Sequence, residues 1–186
     1  MMATQFAETR IVKIPAGADI EVDGFKVTVK GPLGMITKDF SHIPHRNVTI
    51  RREGDTVFIE AYGKVKRSIK AILGTLQAHI ENMITGVTKG FTYRLKIVYS
   101  HFPISVKVKD GAVYIENFIG ERTPRVAKIV GNVKVIVEKE DLIIKGLDID
   151  AVAQTAANIE QATKVRRRDP RVFLDGIYVY SKEVGM

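Results

Sequence analysis

Asp19-Ile20-Glu21-Val22-Asp23-Gly24-Phe25-Lys26-Val27-Thr28-Val29 is the stretch that decides the fold. On both sides of Asp23-Gly24 apolar residues fall at every second position, the period of a half-buried strand. Asp-Gly between two such runs signals a two-residue hairpin loop. The arrangement returns at Val106-Lys107-Val108-Lys109-Asp110-Gly111, which leads into Val113-Tyr114-Ile115. Two hairpins of one design, each at a corresponding place in its half, point to a sequence written twice.

Working outward, Val27-Thr28-Val29-Lys30-Gly31-Pro32-Leu33-Gly34 lies against Val113-Tyr114-Ile115-Glu116-Asn117-Phe118-Ile119-Gly120. Val57-Phe58-Ile59-Glu60-Ala61 likewise matches Leu142-Ile143-Ile144-Lys145-Gly146, and His79-Ile80-Glu81-Asn82-Met83 matches Asn158-Ile159-Glu160-Gln161-Ala162. The matches keep one order, the mark of internal duplication. Each copy of roughly 90 residues can hold one small core. The expected domains are residues 1–88, sheet plus helix, and residues 89–186, a second such copy with a basic tail.

In copy one the expected strands are Arg10 to Ile14, Asp19 to Val22, Phe25 to Lys30, Met35 to Phe40, Val48 to Arg52 and Val57 to Tyr62. Val65, Ile69, Ile72, Leu73, Leu76, Ile80, Met83, Ile84 and Val87 then recur at three- and four-residue steps, the stripe of a helix covering a sheet. Gly90 is the expected stop. The second helix is expected from about Asp148 to Thr163, with Asp148 as cap and Val152, Ala156, Ile159 and Ala162 inward. Antiparallel strands followed by one covering helix, twice over, is an α+β architecture of two tandem duplicated small domains.

The chain carries a net charge of +8, which points to a polyanionic partner. In its second half the excess is confined to Lys164-Val165-Arg166-Arg167-Arg168-Asp169-Pro170-Arg171, five bases against one acid. Clustered guanidinium groups can neutralise several phosphates at once. The following Phe173, Leu174, Asp175-Gly176 and Ile177 favour an ordered extension over a floppy arm. Arg122, Arg125 and Lys128, with Pro124 among them, form a second basic patch suited to a loop edge. A third cluster, Lys64, Lys66, Arg67 and Lys70, crowds the start of the first helix with no acid between Ala61 and Ile80. Cations there oppose the helix dipole, so clustering them at a cost marks a candidate anion site.

Chemistry of other kinds finds little support. Zero cysteines exclude a disulfide framework, a thiolate nucleophile and thiolate-ligated metals. Asp19 to Gly24 has the acidic spacing of a calcium loop, but the twelfth position is Lys30 where a bidentate Glu is required. Gly31-Pro32-Leu33-Gly34 lacks the Lys-Ser or Lys-Thr of a phosphate-binding loop and reads as a structural turn, though a glycine-rich turn can also approach a nucleic-acid backbone closely. His42 and His45 have a ligand-like interval without further ligands, His79 sits beside the helix stripe as a packing residue, and His101 joins no catalytic grouping. No catalysis, metal, cofactor or small-molecule substrate is expected. With no run of 18 apolar residues and no signal pattern, neither is a membrane; the cytosol is the default compartment.

Several motifs in order resemble one family. They are Val29 to Gly34, Asn82-Met83-Ile84-Thr85-Gly86-Val87-Thr88-Lys89-Gly90-Phe91, Tyr99-Ser100-His101-Phe102-Pro103-Ile104, Asn117 to Glu121, and Asp169-Pro170-Arg171-Val172-Phe173-Leu174-Asp175-Gly176-Ile177-Tyr178-Val179. Together they are similar to the L-six family of large-ribosomal-subunit proteins, archaeal and eukaryotic branch, over about residues 10 to 182. The resemblance implies two duplicated domains, a structural role, and binding to large-subunit ribosomal RNA near the region where translation factors dock. Neighbouring ribosomal proteins are the other implied partners, with no homo-oligomer. It places RNA contact at Lys164, Arg171, Asp175, Gly176 and Tyr178, whereas Arg166, Arg167 and Arg168 fall where the family is merely basic. Of these, Asp175-Gly176 is expected to shape a turn, and Tyr178 either stacks on a base or packs on the last strand. Met1 to Thr9 matches no family motif and is expected to be disordered. A free RNA-binding adaptor and a basic enzyme acting on nucleic acid are the competing readings.

Overall fold

A computed structural model describes residues 6–43, 47–63, 66–100, 102–166, 168–169 and 171–186. They form two compact units, Met1–Lys89 and Gly90–Met186. The first contains β1 (Phe6–Lys13), β2 (Asp19–Asp23), β3 (Lys26–Gly31), β4 (Gly34–Asp39), β5 (Val48–Glu53), β6 (Thr56–Tyr62) and α1 (Arg67–Thr88). Its strands make two antiparallel sheets, ordered β1-β6-β5 and β2-β3-β4. The second contains β7 (Phe91–Val98), β8 (Ser105–Lys109), β9 (Ala112–Glu116), β10 (Arg125–Lys128), β11 (Val133–Glu138), β12 (Asp141–Gly146), α2 (Ile149–Ala162) and β13 (Gly176–Val184). Its sheets run β8-β9-β10 and β11-β12-β7-β13. Strand for strand the second unit repeats the first, as the paired motifs require, and adds β13 beside β7.

Alternation drives the pairing. In β3 the side chains of Val27 and Val29 are fully buried while Lys26 and Lys30 are exposed. In β9, Val113 and Ile115 repeat that inward pair. Each unit closes its own core. Leu73, Leu76, Ile80 and Val87 of α1 pack with Val27, Val57 and Ile59, and Val152, Ala156 and Ile159 of α2 pack with Leu95, Leu142 and Ile144. Ile80 and Ile159, matched in the repeat, are both fully buried. Burying a side chain of that size contributes about 1.5–3 kcal/mol.

The Gly31-Pro32-Leu33-Gly34 turn is structural, as read from the sequence. A Cβ at Gly31 would lie 2.6 Å from Cγ2 of Val87, so only glycine lets the turn press on the end of α1. The Leu33 N–H then donates to the Val87 carbonyl at 3.0 Å, satisfying a helix-terminal acceptor. His79 is a packing residue, its ring centroid 5.6 Å from that of buried Phe40. His45, His101 and Val65 lie outside the described residues.

Three expectations need correction. The strand expected from Arg10 begins at Phe6, because Phe6 to Thr9 continue the ladder against Tyr62, Ala61 and Glu60; the expected disorder does not extend over them. The first hairpin closes through Gly24-Phe25 rather than Asp23-Gly24, since Asp23 pairs with Lys26. There Gly24 takes φ +60° at the first loop position, which calls for glycine. In the second copy the loop is Asp110-Gly111 as expected, with both φ positive. Finally, Arg125 and Lys128 belong to a strand and not to a loop. β10 is an edge strand, which tolerates charge, and only its Ala127 faces the core.

Candidate nucleic-acid interface

The basic segment leaves α2 and returns as β13, and its two ends are tied together. Thr163, which ends α2, accepts the Ile177 N–H on its Oγ1 at 3.0 Å, while its hydroxyl faces the Ile159 and Glu160 carbonyls. Inside the loop Asp169 organises a turn. Its carbonyl accepts from the N–H groups of Val172 and Phe173, and its carboxylate accepts from the N–H and guanidinium of Arg171. The Arg171 guanidinium therefore holds the Asp169 carboxyl below the usual carboxylate range, helped by the backbone N–H. Arg168 lies over the Phe173 ring at 4.7 Å. Among its described residues the extension thus carries a turn and a cation–ring contact of its own.

The far end is held from a different loop. Asp175 is only 4% exposed and its Oδ1 accepts the Ser100 N–H at 2.9 Å. Tyr178 folds back over Gly176, where a Cβ would sit 2.8 Å from the ring, and its hydroxyl donates to the Leu174 carbonyl at 3.3 Å. Asp175, Gly176 and Tyr178 thus shape the return of the loop, and Tyr178 keeps an exposed face.

Arg125 holds the near end. Its Nη1 donates to the Ala162 and Lys164 carbonyls at 2.8 and 3.0 Å. Its Nε and Nη2 grip the two Glu121 oxygens at 2.8 and 2.6 Å, and the guanidinium lies 4.2 Å above the buried Phe118 ring. Arg125 lowers the Glu121 pKa below its ordinary value, chiefly through these hydrogen bonds. A guanidinium so engaged acts as a latch on the start of the tail. By contrast Arg122, Lys128, Lys164, Arg166 and Arg168 make no ion pair among the described residues.

Between β10 and α2 runs a seam of two adjoining shallow clefts. One, of about 350 Å³, is lined by Arg125, Val126, Gln161, Ala162 and Arg166. The other, of about 320 Å³, shares Val126, Gln161 and Ala162 and ends at Lys128 and Asn158. The fold therefore brings the second patch and the tail together: Lys128 and Arg166 border one continuous surface. Arg167 lies outside the described residues, as does Lys64. Lys66, Arg67 and Lys70 belong to the first unit, at the start of α1, where no side chain caps the helix and the first turn holds no acid. Lys70 pairs with Glu8 at 3.1 Å.

Sequence reasoning passed over Val126, Gln161, Tyr99 and Phe102. Val126 is 52% exposed between two cations, and an apolar residue in a basic patch was the available signal. Phe102 and Tyr99 are also exposed, on the connection whose Ser100 holds Asp175. Among the described residues no cluster of His, Cys, Asp or Glu could hold a metal ion, and no helix is long and apolar enough to cross a membrane.

The family model for ribosomal protein L6 matches residues 14–90 and 102–176, one segment in each unit. The chain belongs to the ribosomal protein L6 family. It is 55% identical over 183 residues to the large ribosomal subunit protein uL6 of Desulfurococcus amylolyticus, covering 97% of this chain and 98% of that one. Its identity to the protein of the same name from Ignicoccus hospitalis is 53%, over 94% of both chains. For Methanothrix thermoacetophila it is 50%, over 93% of this chain and 96% of the relative. The L6 family is one of structural ribosomal proteins, and its duplicated segments coincide with the repeat read from the hairpins.

Proposed function

We propose that this chain is a structural constituent of the large ribosomal subunit in the cytoplasm, and that its second unit holds large-subunit ribosomal RNA near the region where translation factors dock. The observation carrying this reading is the tied loop. Among the described residues Lys164, Arg166 and Arg168 have no acid partner, yet they stand on a segment fixed at Thr163, Arg125 and Asp175. Preorganised cations lose little freedom on meeting phosphates, so more of the electrostatic attraction is available for binding. RNA helices display backbone and 2′-hydroxyls rather than readable base edges in their deep groove, which suits a surface of cations and few specific donors. Neighbouring large-subunit proteins are the other proposed partners, and the role requires no bond-making step.

Filter binding of the full chain to deproteinised large-subunit RNA tests the reading. Replacing Arg166, Arg167, Arg168 and Arg171 together by Ala should weaken binding and lower the log–log salt slope by about 0.7–0.9 for each lost phosphate contact. An unchanged slope would take the loop out of the interface. Chemical footprinting of the RNA with and without the chain locates the contact, and protection far from the factor-docking region would overturn that part. Co-sedimentation with large subunits in high salt separates a constituent from a free adaptor.

A further inference from the structure

We propose that the seam between β10 and α2 is a ribose-reading site. A ribonucleotide of the bound RNA lays its sugar on Val126 and Ala162, its 2′-hydroxyl meets the Gln161 carboxamide, and the flanking phosphates meet Lys128 and Arg166. The proposal rests on the RNA-binding reading above and names what this part of the surface recognises.

Chemistry along the seam runs in one order. Its centre, shared by both clefts, is Val126, Gln161 and Ala162. Arg166 borders the cleft on one side and Lys128 the cleft on the other. A cation, an apolar floor with one amide, and a second cation is the sequence of groups met along an RNA strand: phosphate, sugar, phosphate. A valine more than half exposed on a strand gains nothing from water, but it gives a nonpolar face for a sugar to cover. Two neighbours are already engaged and so frame the site without binding. Asn158 donates to the Lys128 carbonyl and accepts from Gln154, and Arg125 is held by Glu121 and the Ala162 and Lys164 carbonyls. Gln161 makes no side-chain hydrogen bond among the described residues, which leaves both its donor and its acceptor for a hydroxyl that is itself both. A membrane or an acidic peptide would use the cations but has no need of a central amide.

The test uses the full chain, deproteinised large-subunit RNA, and a salt series. Gln161 and Val126 are exposed, so Gln161→Met and Val126→Glu should keep the wild-type melting temperature. Gln161→Met should lower affinity about fivefold, the effect of one neutral hydrogen bond, with an unchanged salt slope. Lys128→Met should lower both the affinity and the slope, by about 0.7–0.9. A photo-crosslinker placed at position 161 should join to RNA in reconstituted subunits. If Gln161→Met and Val126→Glu bind as the wild type while the fourfold arginine variant fails, the seam proposal is overturned and the RNA-binding reading stands. If the fourfold variant also binds normally with an unchanged slope, both fall. A crosslink to protein alone, or a slope that drops in Gln161→Met, likewise removes the ribose-reading role.

Discussion

Arg125 separates what a charge does from where it is placed. By composition it belongs with Arg122 and Lys128, but its guanidinium reaches carbonyls at Ala162 and Lys164 that only the packing of α2 on β10 brings near. Nothing in the spacing of the sequence marks that approach, so the residue was legible as basic and illegible as a latch. Arg125→Met should therefore weaken RNA binding by loosening the tail, with a salt slope close to wild type, unlike loss of Arg166. The pH dependence follows from Glu121. Its folded pKa lies below the ordinary 4.5, so the Glu121–Arg125 contribution is complete above that value and is lost as pH falls through the lowered one. Melting temperatures of wild type and Glu121→Gln should differ at neutral pH and converge in strongly acidic buffer. A constant difference would mean the carboxylate charge does not matter.

Helix α1 and strand β1 show the same limit for whole elements. The cations at the start of α1 face its positive dipole end without a capping side chain or an acid in the first turn. Lys66→Gln and Arg67→Gln should each raise stability by a few tenths of a kcal/mol, read as a small rise in melting temperature. Lys70→Gln should gain nothing, because it also removes the pair with Glu8. The existence and order of most strands in copy one could be read from alternation, and α1 from its stripe. Less visible were β7 and β13, whose pairing with each other joins the two ends of the second unit. The repeat also conceals a divergence: β7 pairs on both sides, with β12 and β13, whereas β1 pairs only with β6 among the described residues.

At the scale of the molecule, two cores that share no residue predict two separable stabilities. Ile159→Ala should cost about 2–5 kcal/mol in the second unit, and Ile80→Ala about the same in the first. Hydrogen exchange read segment by segment should show protection lost in 90–186 for one variant and in 6–89 for the other; a uniform loss in either would make the chain one cooperative body. The place of β13 also sets an order of events during synthesis. β1 meets its partner β6 within the first unit, whereas β7 lies between β12 and β13 and gains its second neighbour only after β8 to β12 and α2 have been made. Throughout that interval one side of β7, with Phe91, Leu95 and Ile97 along it, has unpaired amide and carbonyl groups, and a nascent chain stalled there presents an open edge to its neighbours.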